Sequence, residues 1–223
     1  MSTNLIVSYD GTVNDDDAVA LAKLLARSGA QLALAYVRHS REFDARREEL
    51  AQHDAERRLD HGAALLDADE TPRHVVISAS TGEGLQHLAD AEGAAVIVFG
   101  SDYRTPPGHA EPGTSAQHLL EGGSVAIAVA AAGLRTEEDA AIKTIAIAGP
   151  DGDSAATQTA EALASRLGAT IVPTNAKQVD LLVVGSQPGS PGGRIALSGA
   201  TRSLLNSAHG SVLVVPHDKP VNL

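Results

Sequence analysis

The chain has 223 residues, 43% of them hydrophobic but only 2% aromatic, with no Trp and one Met. Its core must be built from Ala, Val, Leu and Ile, which suits helices laid closely on a sheet of branched aliphatics. The net charge of −11, from 28 acidic against 17 basic residues, repels phosphate backbones and anionic lipid, so neither nucleic acid nor membrane is an expected partner. The absence of Cys excludes a disulfide framework, a thiolate zinc site and a Cys nucleophile.

In chain order, short unalternating apolar runs fall at Leu5–Ser8, Leu32–Val37, His74–Ile77, Ala95–Phe99 and Val125–Ala130. Runs of this kind are strands buried on both faces of a parallel sheet. Helical patterns lie between them. "NDDDAVALAKLLARSGA" opens on Asn14 and three Asp and stops at Gly29, a favourable arrangement of caps and dipole charges. "REFDARREELAQHDAERRLDH" balances its Arg with its own Asp and Glu and reads as a solvated helix face. "STGEGLQHLADAEGA" has Ser80 or Thr81 as cap. This alternation implies a doubly wound α/β sheet. "NLIVSYD" lacks a basic segment followed by a long apolar one, and no stretch is apolar for the length of a membrane span, so the cytoplasm is the expected location.

The chain then repeats itself. "IKTIAIAGPDGDSA" parallels "NLIVSYDGTVNDDDA", "QVDLLVVGSQ" parallels "GAAVIVFGSD", and "LLNSAHGSVLVVP" parallels "LLEGGSVAIAVA". The interval from the first-strand Asp to the fourth-strand Gly runs from Asp10 to Gly100 in the first copy, but only from Asp151 to Gly185 in the second. The second copy has therefore lost an outer strand and its flanking helices. The expected organisation is a complete domain over 1–133, a linker over 134–141, a truncated domain over 142–218 and a tail over 219–223.

Ligands of open α/β sheets sit beyond the carboxyl ends of the strands, which makes Asp10 a candidate to accept hydrogen bonds from a ribose or base. It also begins a good turn, Asp-Gly-Thr. The loop after Gly100 leads to Gly113-Thr114-Ser115, where the N–H groups of a helix start could receive an anion, or where the hydroxyls could simply cap the helix. Neither a Walker loop nor a Gly-x-Gly-x-x-Gly fingerprint is present. The nine His are scattered without metal-ligand spacing, and no Gly-x-Ser-x-Gly elbow supports a hydrolase triad.

Together these residues resemble the universal stress protein family, in tandem. The resemblance implies two adenine-nucleotide-binding-type (Rossmann-like) doubly wound parallel sheets, the first of order 3-2-1-4-5 and the second lacking its third strand. It implies binding residues at Asp10, at Val37 (whose backbone would meet adenine), at Gly100, and at Gly113 and Thr114; Ser115, a candidate for its hydroxyl at the helix start, stands where the family usually has an aliphatic residue. ATP, with any Mg²⁺ carried by the nucleotide, is the implied ligand of the first half, and no resident metal or catalytic group is expected. The last strands of the halves, "SVAIAVA" and "SVLVVP", are expected to pair within the chain, and a homodimer is also open.

The phosphate motif departs from the family pattern. Tyr103 stands at the second glycine of Gly-x2-Gly-x9-Gly, Pro106 and Pro107 remove two donors, and Asp102 and Glu111 outnumber Arg104. The second motif can be laid from Gly185 through Pro188 to Ser198-Gly199, or shifted by one residue onto Gly189. Three functions stay open. The first is a non-enzymatic stress-response protein that binds or signals through an adenine nucleotide. The second is an interaction module with vestigial sites. The third is a nucleotide-acting enzyme using Asp10 and His109.

Overall fold

A computed structural model describes residues 4–66, 68, 70–149 and 154–223. The first half runs β1 (Leu5–Ser8), α1 (Val13–Ala26), β2 (Leu32–Arg38), α2 (Ala45–Leu65), β3 (Arg73–Ile77), α3 (Thr81–Glu92), β4 (Val96–Phe99), α4 (Thr114–Leu119) and β5 (Ala126–Val129). A 3₁₀ turn at Leu134–Thr136 leads to β6 (Thr144–Ala148), α5 (Ser154–Leu167), β7 (Thr170–Val172), β8 (Leu181–Val184), α6 (Gly199–Ser207) and β9 (Ser211–Val214).

Local chemistry sets the helix boundaries. Thr12, not Asn14, is the cap of α1. The Asp15 carboxylate accepts from the Thr12 amide at 3.0 Å and from its hydroxyl at 2.8 Å, so the first turn closes on itself. Asp44 accepts from the Arg47 amide at 3.0 Å to start α2, and Ser80 from the Glu83 amide at 3.4 Å to start α3.

The strands form one sheet of order β3-β2-β1-β4-β5-β9-β8-β6-β7. The two parallel blocks join into this one sheet across an antiparallel seam, with Ile127 opposite Val214, Ala128 opposite Leu213 and Val129 opposite Val212. The physical reason is the unpaired edge each block would otherwise expose: β5 and β9 satisfy each other. Alternate residues feed two apolar layers. Leu5, Val7 and Tyr9 belong to the layer covered by α1 and α2, which continues under α5 over the second block, while Ile6 and Ile97 belong to the layer covered by α3 and α4.

Loops reinforce the seam. The Ala131 amide donates to Ser211 Oγ at 3.1 Å, the Gly210 amide to the Gly108 carbonyl at 2.8 Å, and the Ile195 amide to the Gly123 carbonyl at 2.9 Å. The His109 and His209 rings meet there with centroids 4.0 Å apart. Residues 219–223 are not a free tail. Val221 and Leu223 are buried, the Val221 amide donates to Thr159 Oγ1 at 2.8 Å, and Arg166 donates to the Leu223 carbonyl. An apolar residue at every second position of "VNL" makes that burial favourable.

Candidate functional site

A cleft of about 330 Å³ opens beyond the carboxyl ends of β1 and β2. Tyr9, Asp10, Val37, Arg38, Arg58 and Thr81 are among its walls. Tyr9 is buried and donates to Asp16 Oδ1 at 2.9 Å. Burial, with that carboxylate beside it, pushes the phenol well above its ordinary range.

Strand geometry sets the side to which the Val37 backbone turns. Along a parallel strand, successive residues turn their N–H and C=O to opposite neighbours. Ala35 turns to β1, because its carbonyl accepts from the Tyr9 amide at 2.9 Å, and Arg38 turns to β3, because its carbonyl accepts from the Ser78 amide at 3.0 Å. Val37 therefore turns to the β1 side, past the last β1 bond, where the cleft lies.

Asp10 is exposed at the cleft, and its Oδ1 accepts from the Thr12 amide at 3.1 Å. Its own amide donates to Asp15 Oδ2 at 3.0 Å. Burial and the nearby Asp10 carboxyl push the Asp15 carboxyl up to about 7, against the lowering effect of its amide and hydroxyl donors.

Two cations enter this wall, Arg38 from the end of β2 and Arg58 from the helix whose sequence reads as a solvated face. Arg38 is buried and forks onto Glu48 at 3.1 and 2.7 Å, with Gln52 at 3.2 Å. The fork holds Glu48 below the usual carboxylate range. Glu48 also accepts from the Glu42 amide at 2.8 Å, which ties down the loop before α2. Arg58 lies over the Tyr36 ring at 5.5 Å, donates to the Asp10 carbonyl at 2.5 Å and to Asp54 Oδ2 at 2.9 Å. Asp54 is held low by that guanidinium. The sequence offers one signal for this: Asp54 and Arg58 are spaced to pair on a helix, and that pairing aims Arg58 along the turn after Asp10.

The loop after β4 is built differently from a phosphate cradle. The Asp102 amide donates to the Glu111 carbonyl at 2.8 Å, Thr105 to Asp102 at 3.0 Å, Gly108 to Ala132 at 2.8 Å and His109 to Pro106 at 3.1 Å. The amides of Arg104 and Glu111 go to Asp102 Oδ1 at 3.0 Å and Ser101 Oγ at 3.1 Å. Gly100 serves packing: a Cβ there would lie 2.1 Å from the Asn14 carbonyl oxygen. Tyr103 is 73% exposed with Arg104 over its ring at 4.9 Å, so it does not fill the cleft.

Of the residues singled out in the sequence, Asp10 and Val37 meet in the cleft, whereas Gly100, Gly113, Thr114 and Ser115 are not among its walls. Gly113 caps α4, and the Ser115 carbonyl lies against Gly82, next to Thr81. His109 packs on His209 at the seam and does not share the cleft with Asp10.

The second half repeats this loop without a described cleft at its aspartate, since Asp151 lies outside the described residues. The Gln187 amide donates to the Ala196 carbonyl at 2.7 Å, as Asp102 does to Glu111. Ser186 Oγ donates to the Val215 carbonyl at 2.8 Å, as Ser101 does to Ala130 at 2.6 Å. Ser198 caps α6 where Gly113 caps α4, which fits the register from Gly185 through Pro188 to Ser198. Among the described residues, no His/Asp/Glu group could hold a metal ion, and no helix is long and apolar enough to cross a membrane.

A parallel α/β sheet with a cleft beyond its strand ends defines a Rossmann-like class. The sequence model of the universal stress protein family matches residues 1–132, and the chain belongs to that family. The fold is similar to that of a universal stress protein from Archaeoglobus fulgidus DSM 4304, at 11% identity and TM-score 0.72, over 97% of this chain and 99% of that one. It is also similar to a functionally unknown protein from Pseudomonas aeruginosa PAO1, at 15% identity and TM-score 0.59, over 97% and 93% of the two chains. No curated protein matches.

Proposed function

We propose that the protein is a non-enzymatic binding or signalling protein of its family, with an adenine nucleotide held in the first-half cleft. The observation that carries this is the free backbone edge of Val37 facing the cleft beside the exposed Asp10. An N–H and a C=O side by side can pair with the edge of a purine, and a carboxylate near them can accept from a ribose hydroxyl. The second half acts as a built-in partner: β9 occupies the edge of β5 through which another copy would otherwise pair.

The absence of turnover is part of the proposal. Asp10 and His109, the pair of titratable groups nominated by the sequence for an enzymatic role, lie in different places. Calorimetric titration of protein never exposed to nucleotide, with adenosine and ATP·Mg²⁺ each at millimolar concentration, tests the binding. Heat that Asp10→Ala reduces supports it, and no heat with either compound overturns it. ADP release above the protein-free rate would overturn the non-enzymatic part.

A second reading, an interaction module with a vestigial site, is favoured by the loop after β4, six of whose amides, at positions 102, 104, 105, 108, 109 and 111, are spent on the protein itself.

A further inference from the structure

Resting on the nucleotide reading above, we infer that the cleft takes an adenine nucleoside or its monophosphate without preferring the triphosphate, and that Arg58 is the phosphate contact. The volume of about 330 Å³ is near the lower limit for small-molecule sites. A polyphosphate would have to leave the cleft and find donors elsewhere. The loop after β4 is the natural place, but its amides at positions 102, 104, 105, 108, 109 and 111 are engaged internally, and Pro106, Pro107 and Pro112 have none. Asp102 and Glu111 add negative charge to that loop against the single Arg104. The first turn of α1 is also pressed against its start, with Asn14 Nδ2 donating to the Ser101 carbonyl at 2.9 Å.

Charge at the cleft points the same way. Asp10 and Glu42 are on its wall, and the Arg38 guanidinium is already forked onto Glu48. Arg58 remains. Its Nη1 and Nε are held by the Asp10 carbonyl and Asp54, which fix the fork, while its Nη2 has no partner among the described residues. One guanidinium nitrogen suits one phosphate group, and a triphosphate would bring surplus negative charge into an acidic rim.

The test is calorimetric titration of the full chain with adenosine, AMP and ATP·Mg²⁺, repeated on Arg58→Met, which keeps the stem on Tyr36, and on Arg58→Lys. AMP should bind at least as tightly as ATP. Arg58→Met should weaken AMP about tenfold while changing adenosine less than about threefold, and Arg58→Lys should recover part of the AMP affinity. ATP binding more than tenfold tighter than AMP would overturn the inference and leave the nucleotide reading standing. Equal losses of AMP and adenosine in Arg58→Met would make Arg58 a packing residue and overturn its assignment. No binding of any of the three compounds would remove the nucleotide reading, and this inference with it.

Discussion

Asp17 and Arg135 form a latch between the first helix and the connection that leads into the second half. The Asp17 side chain is 1% exposed and meets Arg135 Nη1 at 2.8 Å. It also accepts from the Gly133 and Arg135 amides, each at 2.9 Å. A buried carboxylate with three donors is satisfied, and removing it leaves the two amides without their acceptor, while the exposed Arg135 guanidinium turns to water. Asp17→Ala should destabilise the chain by about 1–3 kcal/mol, read as a lowered urea midpoint. Arg135→Ala should cost clearly less, because the two amides still hold the carboxylate. Equal costs would show that the amides contribute little.

The Asp15 carboxyl gives a pH dependence of defined sign. Its folded value, pushed up to about 7, lies above its ordinary value of 3.8. Between these values the folded state binds the proton more readily than the unfolded one, so this contribution to stability falls as pH rises through the window. Glu48 and Asp54 are shifted the other way, so their contributions are present above the ordinary carboxylate range and are lost only as pH falls below it. Comparing urea midpoints at pH 5 and pH 8 for the wild type and for Asp15→Asn isolates Asp15. The wild type should lose more stability between the two pH values than the variant does. Parallel profiles would refute the role of Asp15.

Two glycines of the phosphate motif should respond unequally to alanine. At Gly100 the new methyl would meet the Asn14 carbonyl oxygen at 2.1 Å, and backbone cannot step aside cheaply. Gly100→Ala should cost about 1–3 kcal/mol, as overpacking does. Gly113 has open space around it and φ −70°, so Gly113→Ala should cost less than about 1 kcal/mol as a change of helix cap. Thermal unfolding of the two variants decides the point.

Restoring the family glycine should not restore a phosphate site. The Tyr103 ring is already at the surface, and the neighbouring amides of Asp102, Arg104 and Thr105 are engaged. Tyr103→Gly should leave the ATP affinity within about twofold of wild type by calorimetry, less than one charge-assisted hydrogen bond would contribute. A tenfold gain would mean that the ring, rather than the hydrogen bonding of the loop, closes the site.

What could be read before the structure follows from how local each signal is. The strand at Leu5–Ser8 and the helix after it are written in adjacent residues, and so is the internal repeat. Val37 came only through the family resemblance, which implies a backbone contact at the end of the second strand. Asp17 was not: beside Asp15 and Asp16 it looks like a charge at a helix start, and its partner lies 118 positions away. Arg58 was hidden for a related reason. In a run of balanced charges, no periodicity marks which guanidinium turns inward, and that choice is made by Tyr36 and the turn after Asp10. Arg38 closes the second strand, and its partner Glu48 lies on the following helix. The closed loop after β4 was legible only in its prolines and acids, because its hydrogen bonds reach across to Ala132.

The seam between β5 and β9 also shapes how the chain reaches its native state. Ala131 and Ser211, which bond across it, are 80 residues apart. On the ribosome the first half can complete its own parallel block while the strand that will cover β5 has yet to emerge. At ordinary translation speeds this interval is about 4–16 s. During that time an apolar strand in the middle of the future sheet is a bare edge, open to any other extended segment nearby. The folded protein closes its centre last, and the period of greatest exposure to misassembly falls during synthesis.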